Sequence, residues 1–233
     1  MAPRIILAIV VSAALVLSLT CTCLAQELQQ DGTANLTGIV PCHMSRAQLR
    51  IWRSILDIVM AEDKDGRRLH PTLYELYCQA ETSGHLIRIE FAKAESSSRA
   101  GQFSIETPDP KGIRHVTTIR LNLATIERAY VGESTRYSNG LIPFSGLRTK
   151  HRYAEVLGHE LAHAVAVFQD AGSLRLYEQL EKEAADLEPG DVNDADGDWI
   201  MRLESVKQLM RQIEKPAEAA ELEIWRELKK ARH

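Results

Sequence analysis

Apolar positions recur along the chain with two different periods. Between 45 and 61, Leu49, Trp52, Ile55, Leu56 and Val59 return every three or four residues, the spacing of one helix face, and Ser45 just ahead is a residue type that caps such a helix. A charged turn at 63–68 follows, and Pro71, whose fixed φ suits a first helical turn, opens a second helix carrying Leu73, Leu76, Tyr77 and Cys78. From His85 the period shortens towards two. Leu86, Ile87, Ile89 and Phe91 predict a strand, 102–105 a weaker one and 116–123 a strong one. In the last of these, Ile119, Leu121 and Leu123 alternate with Thr118, Arg120 and Asn122, which predicts one buried face and one wet face that can meet a substrate. Residues 124–130 predict a short helix, and 131–149, with three Gly and one Pro, a loop.

The helical period returns at 151–168, where apolar residues almost surround the helix. Gly172 predicts its end and Ser173 the cap of a following helix that runs to 187. Beyond an acidic stretch at 191–198, residues 199–213 and 217–230 read as two helices around Pro216, covering the core as a hairpin or meeting a second copy. The acidic stretch fails the EF-hand pattern: with Gly197 at the sixth position, the first would be Val192 and the twelfth Leu203. The fold class predicted is α+β, mainly helical, with a small sheet before the helix at 151–168 and a helical pair at the C-terminus.

Composition narrows the class. With 28 Lys+Arg against 32 Asp+Glu and 45% hydrophobic residues, the chain is neither a disordered tail nor a polybasic nucleic-acid binder. Residues 1–25 stand apart: Arg4, an apolar run and the small-residue exit Cys23-Leu24-Ala25 have the make-up of a secretory signal peptide. The product is then periplasmic or extracellular, and touches a membrane only if that segment stays uncleaved. Residues 26–44 read as a flexible leader, 45–190 as the domain, and 191–233 as an extension packed on it. Cys42 and Cys78, the cysteines left after cleavage, are predicted to form a disulfide in an oxidising compartment.

The chemistry concentrates in Val156-Leu157-Gly158-His159-Glu160-Leu161-Ala162-His163-Ala164-Val165. Four residues apart on a helix, His159 and His163 project from the same side and can share one tetrahedral zinc ion. Glu160 lies about 100° round the helix from His159. That places a carboxylate beside the metal without making it a ligand, as a general base for a zinc-activated water requires. Two histidines and an acid on so apolar a helix need partners, and a metal is the economical one.

In motif and flanks this segment resembles the active-site helix of the zincin metallopeptidases. The resemblance implies a zincin-like fold, one Zn²⁺ per chain, hydrolysis of peptide bonds in a peptide or protein substrate, and Glu160 as the base. It also implies a third protein ligand. Zincins with a distant histidine are disfavoured, because the only His after His163 is His233, which leaves the gluzincins, whose third ligand is a glutamate on a following helix. Glu183 has nineteen residues between it and His163, a spacing similar to the thermolysin-like members. Aligning Ala184 with the alanine of the Glu-x-x-Ala-Asp pattern selects Glu181 instead. Glu183 is preferred and Glu181 is the alternative.

Asp186 follows as a candidate partner of a histidine ring, three residues after Glu183 where the family has four. As in zincins, the strand at 116–123 could pair an extended substrate, with Asn122 available for a main-chain contact. The oxyanion stabiliser is open among Tyr130, Tyr137, Tyr153 and His151. A second reading keeps the fold but not the catalysis, as an inactive binding protein of the cell envelope; an intact Glu160 speaks against it.

Overall fold

The structure, a computed structural model, describes residues 37–92, 100–106, 116–128, 147–185 and 197–231. The signal segment at 1–25 and Asp186 lie outside these residues, as do most of the predicted 131–149 loop and most of the acidic stretch. The described chain is α+β, with six helices and one four-stranded mixed sheet. The strands are β1 (Gly38–Pro41), β2 (Leu86–Phe91), β3 (Gly101–Glu106) and β4 (Val116–Leu121). The helices are α1 (Arg46–Val59), α2 (Pro71–Glu81), α3 (Leu123–Arg128), α4 (Thr149–Gln169), α5 (Ala171–Ala185) and α6 (Gly197–Lys230).

Local chemistry explains several boundaries. Ser45 and Gln48 form a reciprocal capping box on α1: Ser45 Oγ accepts from the Gln48 amide at 3.3 Å, and Gln48 Oε1 from the Ser45 amide at 2.8 Å. Trp52, Ile55, Ile58 and Val59 bury the face that the periodicity marks. Asn122 caps α3, its Oδ1 accepting from the Thr125 amide at 3.1 Å. The predicted break between the fourth and fifth helices sits one step earlier than Gly172 and Ser173 imply. The carboxylate of Asp170 accepts from both of their amides and from Ser173 Oγ, so α5 starts at Ala171.

The sheet order is β1-β2-β4-β3, with β1, β2 and β4 parallel and β3 antiparallel to β4. This corrects three expectations. Residues 38–41 of the predicted leader are an edge strand; Gly38 reaches φ +92°, and the Glu81 carboxylate accepts from the Ile39 amide at 2.7 Å. β4 lies inside the sheet, so β3 covers the edge on which a substrate was expected. The polar face of β4 is only partly wet, because Thr118 is buried, while Arg120, its side chain 39% exposed, pairs with Glu90 of β2 at 3.1 Å.

α4 runs through the middle of the molecule, against β3, β4 and every other helix. Its apolar side chains join those of α1, α2 and the sheet in one core. The largest correction is at the C-terminus, where one 34-residue helix replaces the predicted pair. Pro216 cannot donate to the carbonyl one turn back, a loss costing about 3 kcal/mol in a helix interior. Packing offsets it: Val206, Leu209 and Ile213 are buried before the ring, and Ala217, Ile224 and Leu228 after it. Among the described residues no helix is long and apolar enough to cross a membrane. No disulfide joins Cys42 and Cys78, and the Cys42 thiol is directed to the Val40 carbonyl of its own strand, at 3.6 Å.

Candidate metal centre

Two elements build the site. α4 contributes His159 and His163, one turn apart as the motif requires, and α6 crosses it closely enough to bring Glu214 against both rings. The close crossing depends on Gly158: a Cβ there would overlap the Ile224 Cδ1 of α6 and stand 3.1 Å from the Leu73 Cδ1 of α2. The missing side chain immediately before His159 therefore lets the second helix reach the histidines.

His159 Nε2 and His163 Nε2 are 3.1 Å apart, and Glu214 Oε2 lies 3.2 Å from the first and 3.4 Å from the second. Three donors at bonds of roughly 2.0–2.1 Å around a tetrahedral ion are separated by about 3.3 Å, so this triangle fits one face of such a tetrahedron. The set can hold a metal ion. Glu214 has 41% of its side chain exposed against 6% for His163, so solvent reaches the group from the Glu214 side.

A further carboxylate lies behind His159, where Glu221 Oε2 is 2.8 Å from Nδ1. This contact places the ring's proton on Nδ1 and leaves the Nε2 lone pair for a metal. Glu221 is 3% exposed, two turns after Glu214 on the same face of α6. With Glu160, three carboxylates surround two imidazoles, a balance that a divalent cation offsets.

Burial and the neighbouring carboxylates push the two imidazoles in opposite directions. Burial disfavours charge on His159, but hydrogen bonds to Glu214 and Glu221 outweigh it, and the pKa is held well above 6.5. On His163 burial prevails and lowers the pKa. Glu214 stays well below the ordinary carboxylate range despite its burial, because both imidazoles bond to it.

Two aromatic rings enclose the outer side of the pair. Phe103 of β3 stacks on His163 with centroids 6.1 Å apart, and Tyr177 of α5 meets His163 edge-on at 6.0 Å and Phe103 at 5.3 Å. Burial, with the nearby Glu214 and Glu160 carboxylates, raises the Tyr177 pKa, so its hydroxyl stays protonated at neutral pH. Glu160 is buried against β3.

Other residues singled out in the sequence lie elsewhere. Glu183 is bonded to Gln179 at 2.7 Å and to Ser205 at 2.6 Å, and Glu181 is exposed; in both positions Glu214 replaces them as the carboxylate beside the histidines. The reason is geometric, since Glu181 of α5 faces solvent and Glu183 turns to Ser205 of α6, while α6 lies across α4 and carries Glu214 to the histidines. Asn122 is 2% exposed and occupied in capping α3, so it is not available to a substrate. Tyr153 donates to Glu127 and is buried, His151 sits two turns before His159 at the start of α4, and Tyr130 and Tyr137 lie outside the described residues. One signal in the sequence did mark the missed residues: Glu214, Ala217, Glu221, Ile224 and Leu228 continue a single helical stripe, and acids on an otherwise apolar stripe need a buried partner. Comparison with protein-family models, curated proteins and solved structures finds no match.

Proposed function

We propose that the protein is a zinc-dependent peptidase of the zincin kind, exported by its N-terminal segment and acting in the periplasm or outside the cell. The observation that carries this reading is the triangle of His159, His163 and Glu214 donors, with the motif glutamate Glu160 beside it and Glu214 partly exposed to solvent. Two histidines, one carboxylate and an open position suit zinc in a catalytic rather than a structural role. When bound, the ion supplies Lewis acidity towards a water and a carbonyl.

The remaining steps belong to this chain's side chains and backbone. Glu160 takes the proton of the attacking water and returns it to the leaving amine. Tyr177, held protonated, donates to the oxygen of the carbonyl under attack. Among the described residues no strand pairs with the outer edge of β3, the strand next to Glu160 and His163. An extended peptide adding there would lie alongside the histidines, with its main chain held by strand pairing. This moves the substrate edge from β4 to β3.

The test combines metal content with one substitution. Purified protein, dialysed against metal-free buffer and reloaded, is expected to hold one zinc per chain by elemental mass spectrometry and to hydrolyse labelled casein. Glu160→Gln should keep the zinc and lose hydrolysis by orders of magnitude. Undiminished hydrolysis in Glu160→Gln overturns the mechanism, and zinc binding without any hydrolysis by the natural chain supports the inactive binding protein instead.

A further inference from the structure

The structure assigns to Gly101 the positioning of Glu160: the bare backbone of the edge strand is the surface against which the base carboxylate is seated. A Cβ built on Gly101 would overlap Glu160 Oε1, and would stand 2.9 Å from its Cδ and 2.8 Å from Val156 Cγ1, one helical turn earlier. Backbone conformation does not explain the glycine. The positive-φ glycines among the described residues are Gly38, Gly66 and Gly84, so Gly101 has an ordinary φ that any residue can adopt. A glycine in a strand weakens it unless something must approach closely, and here a carboxylate does.

Which side gives way follows from the anchoring. β3 is paired with β4 from Gly101↔Leu121 to Glu106↔Val116. At the head of the strand the Asn122 amide donates to the Ala100 carbonyl at 2.9 Å. Moving the backbone of residue 101 would break this ladder. The Glu160 carboxylate is the end of a flexible side chain, so a methyl group at 101 displaces the carboxylate and leaves the sheet in place. The three atoms nearest that methyl belong to Glu160 and Val156 and none to His159 or His163, so the metal donors are expected to keep their triangle. Gly101 acts on the chemistry only through Glu160.

This inference rests on Glu160 being the base, and the experiment separates the two. The zinc-loaded full chain is titrated with acetohydroxamate, whose hydroxyl proton passes to a carboxylate beside the metal, and with azide, which binds a metal without such a partner. Gly101→Ala is expected to keep one zinc per chain and its azide affinity, to weaken acetohydroxamate about tenfold, as Glu160→Gln does, and to lower casein hydrolysis at saturating substrate about 10–100-fold.

In the double variant Gly101→Ala with Glu160→Gln, the losses should not add, because both changes remove one interaction. Full additivity, or unchanged acetohydroxamate binding and hydrolysis in Gly101→Ala, overturns the positioning role. No effect of Glu160→Gln on acetohydroxamate binding or on hydrolysis overturns Glu160 as the base, and the role of Gly101 with it. If Gly101→Ala fails to fold, adding Val156→Ala removes the second clash, and the same comparisons apply with Val156→Ala as the reference.

Discussion

Glu214 and Glu221 separate two tasks that a single acid cannot perform, since one meets both Nε2 atoms and the other orients His159 from behind. Glu221→Gln should therefore weaken zinc by roughly 10–100-fold, the usual loss when an orienting partner of a ligand histidine is removed. Glu214→Ala should weaken it further, and Glu183→Ala not at all, as read by competition with a chromophoric chelator. The two histidines also set the pH response of the metal-free protein. The folded pKa of His159 lies above 6.5, so its contribution is complete below that value and is lost as pH rises through the raised pKa. The folded pKa of His163 lies below 6.5, so stability is lost as pH falls through 6.5 towards it. Thermal midpoints of the metal-free chain should peak near pH 6.5, and zinc loading should abolish the decline on the alkaline side.

Helix crossings decide whether those residues meet. Gly158→Ala would improve the intrinsic helix propensity of α4, yet the methyl group would drive Ile224 and its helix away. Overpacking of this kind costs about 1–3 kcal/mol, which exceeds the propensity gain. Urea denaturation should show that loss, and zinc affinity should fall with it because Glu214 and Glu221 ride on the displaced helix. α6 is also fastened at its far end. Glu227 accepts from the Thr72 amide at 3.1 Å and from Thr72 Oγ1 at 2.6 Å, capping α2 from another element where His70 supplies no side-chain cap. Glu227→Ala should cost ~1 kcal/mol, the usual price of a lost cap, with little change in zinc per chain.

At the scale of the whole molecule the His159, His163 and Glu214 group, which could hold a metal, ties the centre of the chain to its C-terminal helix. Free zinc at a hundred times the dissociation constant adds about 2.7 kcal/mol of stability, so chelation should lower the thermal midpoint and expose α6 to limited proteolysis first. The sequence by itself determined what depends on neighbours along the chain: the helices begun by Ser45 and Pro71, the strand at 86–91, the α+β class, and His159, Glu160 and His163 on one turn of helix. Helical and strand periods are local, so they are readable without a fold. Tertiary structure decided what depends on neighbours in space. β1 is four residues long and forms only because β2 lies beside it; α6 runs through Pro216 because both of its halves are buried; and β4 is interior because β3 folds back along it. The carboxylate beside the histidines belongs to the same class. Fifty residues separate His163 from Glu214, and no periodicity reports which of several glutamates is carried back to the histidines; only the close crossing at Gly158 selects it.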